Sequence, residues 1–155
     1  MGRVLAALLA AALMLGGVPV AAQQVTEFGI MGVATASDPA LAVAGGYGAI
    51  RTSRRTRVSA GLGAGVSDGR AAWRGELLAH FLLNPTRHRG VGVYGAGGIA
   101  AVGGPVDQGY LVLTLGLEAR PGEHSGWFVE AGVGGGVRVA AGVRWRRWPP
   151  GWEGS

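Results

Sequence analysis

Hydrophobic and polar positions alternate along most of this chain with a period of two. The pattern is clearest between Gly126 and Trp148, where Gly134-Gly135-Gly136 separates two runs. Trp127, Val129, Ala131 and Val133 share one face of the first run, and Val137, Val139, Ala141, Val143 and Trp145 share one face of the second. The opposite faces carry Glu130, Arg138, Arg144 and Arg146 among glycines. Such a pattern predicts a β-hairpin with one wholly apolar side and one side of small and charged residues.

Extended over the chain, the same reading predicts eight strands: Val25 to Ala36, Ala40 to Thr52, Arg55 to Val66, Arg70 to Leu83, Gly90 to Val102, Gly109 to Arg120, Trp127 to Gly134 and Val137 to Arg147. Most are about 10 residues or slightly longer, the length at which a tilted strand crosses a bilayer. The separators carry turn chemistry, among them Ser37-Asp38-Pro39, Ser67-Asp68-Gly69, Asn84-Pro85 and Pro121-Gly122. In the third run Val58, Ala60, Leu62, Ala64 and Val66 oppose Arg57, Ser59 and glycines; in the sixth Leu111, Leu113, Leu115 and Leu117 oppose Thr114, Gly116 and Glu118. The first run sets Phe28 and Ile30 against Glu27 and Thr35, whereas the second and fifth are apolar or glycine on both sides and their register is unreadable. Arg70 to Leu83 is rich in helix formers and stops before Asn84-Pro85, so a helix is an open alternative there. Its period-two reading, with Trp73, Leu77, Ala79 and Phe81 opposite Arg74, Glu76 and His80, favours a strand.

Met1 to Ala22 reads as a cleaved signal peptide, with Arg3 as its positive start, Val4 to Leu15 as its apolar stretch and Val20-Ala21-Ala22 as its small-residue cleavage site. Residues 23–148 then form one domain and 149–155 a C-terminal tail. The chain has no cysteine, which removes disulfides and thiolate metal sites from consideration. Its 31 glycines alternate with Val, Leu and Ala inside regular runs, which points to an ordered sheet and away from low complexity.

An apolar sheet face must be buried inward as a core or outward in lipid. The formal net charge is +5 without a single lysine, and the non-apolar faces are mostly glycine with sparse Arg and Glu. That composition suits a cramped lumen better than a water-facing surface. In an eight-strand barrel the interior is just wide enough for side chains to fill it, so glycines would make room there for long charged residues. Arg57, Arg74, Glu76, His80, Glu118, Glu130, Arg138 and Arg144 are predicted to pair across such a lumen. Trp73, Trp127 and Trp145, near strand ends on the apolar face, are candidates for an interfacial aromatic girdle.

With its export signal, eight amphipathic runs and a last strand ending Gly142-Val143-Arg144-Trp145-Arg146-Arg147-Trp148, the chain resembles the small eight-stranded outer-membrane barrels of the OmpA/OmpX type. The resemblance implies an all-β fold, a single antiparallel up-and-down transmembrane barrel, in the outer membrane. It also implies that the last strand is read by the assembly machinery. Gly142 and Trp145 match the family's closing pattern, whereas Arg147 replaces its second aromatic. In such a barrel Asp38, Asp68 and Asp107 lie in links at one rim, while Arg54, Arg55, Arg87, His88, Arg89, Glu123 and His124 lie at the other, with the termini. The basic rim is placed by the resemblance on the periplasmic side, near anionic headgroups. Its outer loops are shorter than the family's receptors and adhesins carry.

Chemical motifs are few. Gly95-Ala96-Gly97-Gly98-Ile99-Ala100 matches a dinucleotide fingerprint, with Glu118 at about the distance of an acidic ribose partner, but Gly103-Gly104-Pro105 would end the required helix at once. His80, His88 and His124 are not at metal-ligand spacing. No cofactor, metal or nucleic-acid partner is expected; the expected partners are outer-membrane lipid and the assembly machinery. Three readings remain: a non-enzymatic structural or surface barrel with a charge-plugged lumen, a soluble periplasmic lipocalin-like carrier of a small apolar ligand, and a lipid-modifying barrel enzyme. The last would need a set such as Ser59, His80 and Glu118.

Overall fold

The computed structural model describes residues 24–150. The predicted signal segment and the last five residues of the predicted tail lie outside that range. Eight strands follow one another: β1 (Thr26–Ala36), β2 (Leu41–Arg51), β3 (Thr56–Ser67), β4 (Arg70–Leu82), β5 (Val91–Gly103), β6 (Gln108–Ala119), β7 (Ser125–Val133) and β8 (Val137–Arg147). Each pairs antiparallel with its sequence neighbours, and β8 returns to β1, so the sheet is a closed up-and-down barrel. The seam runs from Thr26 opposite Arg147 to Ala36 opposite Val137. Closure leaves no unpaired edge among these strands.

The segment rich in helix formers is a strand from Arg70 to Leu82, pairing with β3 from Thr56 opposite Phe81 to Ser67 opposite Arg70. Its alternation decides this: Arg74, Glu76, Leu78, His80 and Leu82 are all buried on the inner face, a period that no helix would satisfy. The registers that could not be read are fixed by neighbours. Leu41, Val43, Ala49 and Arg51 of β2 are buried, as are Tyr94, Ala96 and Ala100 of β5.

Turn residues suit their geometry. Asp68 (φ 49°) and Gly69 (φ 68°) are both left-handed in the two-residue link between β3 and β4, the conformation that matches the twist of a hairpin. Links at that rim are short, at most four residues long (37–40, 68–69, 104–107 and 134–136), and the start of β1 and the end of β8 lie at the opposite rim, the terminus rim.

Burial is inverted relative to a soluble barrel. Leu111, Leu113 and Leu115 are 82%, 67% and 72% exposed on the outer wall, whereas Arg57 and Arg138 are 1% exposed inside it. An apolar inner cluster of Leu78, Ala100 and Val112, and another around Val33, Leu41, Val43, Ala72 and Ala140, complete the filling.

Candidate functional site

The lumen is occupied by two connected groups of ion pairs. In the half nearer the chain termini, Glu27 and Glu118 share four arginines. Glu27 Oε1 accepts from Arg51 Nε at 2.8 Å and its Oε2 from Arg57 Nη1 at 3.0 Å. Glu118 Oε2 accepts from Arg144 Nη1 at 2.6 Å, Arg57 Nη1 at 3.1 Å and Arg146 Nη2 at 3.2 Å. Arg57 therefore bridges both carboxylates, and so does Arg144, whose Nη1 also donates to Glu27 Oε2 at 3.5 Å. In the other half Arg138 grips Glu76 bidentately, Nε to Oε1 at 2.9 Å and Nη2 to Oε2 at 2.6 Å, and donates Nη1 to Glu130 Oε2 at 2.8 Å. Arg74 Nε donates to Glu76 at 2.6 Å and Arg74 Nη1 to the Gly134 carbonyl at 3.1 Å. The Tyr94 hydroxyl donates to Glu130 and accepts from Arg144, joining the halves.

The eight residues predicted for the lumen, seven charged and His80, are all buried. The half away from the terminus rim is balanced, Arg74 and Arg138 against Glu76 and Glu130. The terminus-side half holds Arg51, Arg57, Arg144 and Arg146 against Glu27 and Glu118, an excess of two positive charges. Main-chain oxygens compensate. Arg51 donates to the carbonyls of Pro85 (3.2 Å) and Pro121 (3.0 Å), and Arg146 to those of Arg120 (3.4 Å) and Glu123 (3.0 Å). The β4–β5 and β6–β7 links are thereby tied to the interior. Buried ions are tolerated in this way because nearly every charge has several partners of short geometry.

Aromatic rings do a share of the filling that the sequence did not disclose. Arg144 lies over Phe128 at 4.2 Å, with Tyr94 at 5.6 Å and Tyr47 at 5.8 Å, and Arg57 lies over Tyr94 at 5.0 Å. Some inner glycines answer to these rings, while others, Gly45, Gly65, Gly98 and Gly132 among them, lie against the backbone of the neighbouring strand. A Cβ on Gly116 would fall on the Tyr94 ring, one on Gly142 on the Phe128 ring, and one on Gly61 against Met31 and Tyr47. Gly134 is the inner glycine that yields to a charged neighbour, Arg74. What space remains at mid-height is a cavity of about 20 Å³, enough for a water molecule and not for an apolar ligand.

Glu27, Arg51 and Arg146 belong to the network beside the predicted eight. Two had a signal, since Glu27 opposes Phe28 and Arg146 repeats Arg144 at a spacing of two; Arg51 sits on the strand of unreadable register. The structure brings Ser59 and His80 together at 2.8 Å but does not complete a catalytic set. Arg57 Nη2 lies 3.3 Å from His80 Nδ1, and since a guanidinium only donates, Nδ1 is the acceptor and Nε2 carries the proton toward Ser59. A histidine in that tautomer cannot take the serine proton, and Glu118 is held by three arginines. The dinucleotide-like glycines lie within β5, in the barrel wall, with no helix following.

Of the three tryptophans assigned to a girdle, Trp127 (46% exposed) and Trp145 (41%) stand on the outer wall near the terminus rim, where Phe28 stacks on Trp145 at 5.7 Å. Trp73 is half-buried toward the other rim and covers Gly103, its partner across the strands.

No family model matches the chain, and no curated protein does. Solved structures do. The crystal structure of the N-terminal β-barrel domain of OprF from Pseudomonas aeruginosa aligns with a TM-score of 0.61 at 14% identity, covering 78% of this chain and 97% of that one. Ail, the attachment invasion locus protein of Yersinia pestis, aligns with a TM-score of 0.51 at 14% identity over 81% of this chain and 99% of its own.

Proposed function

With the fold of the small eight-stranded outer-membrane barrels as the premise, we propose that this chain is a non-enzymatic outer-membrane barrel, structural or surface-acting, with a lumen plugged by charge. The observation that carries the reading is the inversion of the wall: leucines at 67% to 82% exposure outside, arginines at 1% inside. Lipid makes that arrangement favourable, because each outward leucine would otherwise keep its apolar surface in water at about 25 cal/mol per Å². The short links at the rim opposite the termini leave little surface for ligand recognition, which favours the structural role. The plug of Arg57, Arg138, Arg144, Glu76, Glu118 and Glu130 fills the channel that a diffusion pore would need. Against a soluble carrier, the lumen among the described residues is filled at mid-height by ion pairs; against an enzyme, the Glu118 that a Ser59–His80 set would need is held by three arginines.

Fractionation tests location: the protein should stay with outer membranes until detergent is added and should change gel mobility on boiling. Recovery as a soluble periplasmic protein would sink the reading. Planar-bilayer recording tests the plug, with small or absent conductance expected; steady large channels would show a water-filled lumen.

A further inference from the structure

The rim at which β1 begins and β8 ends has a composition that the barrel itself does not require. Arg54, Arg55, Arg87, Arg89, Arg120 and Arg147 are exposed there. Among the described residues there, the acidic side chain of Glu123 faces His88 at 3.5 Å. Among the described residues Arg54, Arg55, Arg89 and Arg147 form no ion pair, whereas Arg70 at the opposite rim lies 3.9 Å from Asp68. Immediately behind this rim lies the half of the lumen that sets four arginines against two carboxylates. Immediately inside it on the outer wall stand Phe28, Phe81, Trp127 and Trp145, each between 41% and 49% exposed.

An aromatic collar next to a ring of cations matches the order of chemistry across a bilayer boundary, with rings at the carbonyl and glycerol level and guanidinium groups among the phosphates. The cations are spread over the β2–β3, β4–β5 and β6–β7 links and the end of β8, so they recur around the circumference. A protein partner would meet one patch of such a ring, whereas a lipid leaflet surrounds all of it. We propose that this rim binds the phosphate groups of anionic phospholipids, its exposed arginines forming charge-assisted hydrogen bonds to them. The inference rests on the membrane-barrel reading above and adds to it the lipid class that the rim selects.

The test uses the full chain refolded into phosphatidylcholine vesicles with and without phosphatidylglycerol, and spin-labelled versions of both lipids to report which one the protein's boundary retains. At low salt phosphatidylglycerol should be preferred roughly fivefold, equivalent to about 1 kcal/mol, one arginine's attraction to an anionic surface. High salt should reduce that ratio toward one. The quadruple variant Arg54→Gln, Arg55→Gln, Arg89→Gln and Arg147→Gln should lose it while keeping the gel mobility of the folded barrel. An inserted protein with equal retention of the two lipids, or a folded variant with its preference intact, overturns the proposal and leaves the membrane reading standing. Failure to insert into either vesicle overturns both.

Discussion

The Tyr94 hydroxyl donates to Glu130 Oε1 at 2.9 Å, on a ring that also lies under the guanidinium groups of Arg57 and Arg144. The same oxygen accepts from Arg144 Nη2 at 3.3 Å, so one phenol couples two sets of ion pairs. Tyr94→Phe keeps the ring and removes the coupling, leaving a buried carboxylate oxygen unmet. Its cost should be about 1 to 3 kcal/mol in denaturant unfolding from detergent micelles. Tyr110→Phe, which removes an exposed bond to Gln108, serves as the control and should cost less than about 0.5 kcal/mol.

The two carboxylates of the plug that lie on neighbouring strands should rank differently. Glu118→Ala takes a partner from Arg57, Arg144 and Arg146 together, in a half already rich in positive charge. Glu130→Ala takes one from Arg138, which keeps its bidentate hold on Glu76. The first should cost on the order of 3 to 5 kcal/mol and the second clearly less. Equal losses would mean that the network shares its charge more evenly than its geometry implies.

Neighbouring positions on β6 report which face is which. Leu115→Arg puts a charge on the outer wall at mid-strand and should cost roughly 2 to 4 kcal/mol in a bilayer. Thr114 points inward and its hydroxyl is buried without a hydrogen-bond partner, so Thr114→Val should be neutral or slightly stabilising. Refolding yields and unfolding midpoints in lipid vesicles measure both.

Glycines of the wall divide by what lies above them. A Cβ on Gly116 would overlap the Tyr94 ring, so Gly116→Ala should cost about 1 to 3 kcal/mol through overpacking. On Gly97 the nearest atoms to a Cβ are 3.7 and 3.8 Å away, an ordinary contact, and Gly97→Ala should fold with wild-type stability. Parallel heat-modifiability gels separate the two.

Much of this architecture is legible in the sequence because an apolar outer wall and a charged interior impose opposite demands on alternate residues. On β3, β6, β7 and β8 that contrast is strong, and Arg57, Glu118, Glu130, Arg138 and Arg144 are readable as one face before any contact is known. On β2 and β5 it vanishes, since alanine and glycine satisfy both environments, and with it goes the sign of Tyr47, Arg51 and Tyr94. Those three decide much of how the lumen is wired. The pairing of each guanidinium is unreadable for a different reason: six arginines and four glutamates distributed over seven strands permit many matchings, and strand register selects among them. The glycines mislead more subtly, because vacated space on a strand does not say whether a cation or a ring will enter it.

The last strand carries Arg138, Arg144 and Arg146, half of the guanidinium groups in the lumen, and the strand it meets at the seam carries Glu27. Until β8 arrives, Glu130 has no arginine at all and Glu76 and Glu118 have one each. Sealing the wall and settling its interior charge are thus one event. A chain cut before Val137 would lack a strand and also hold three carboxylates short of counterions, so incomplete copies are penalised twice, once at the backbone and once inside. The final eleven residues of sheet act as an electrostatic latch, and a barrel that has not received them has a reason to stay open.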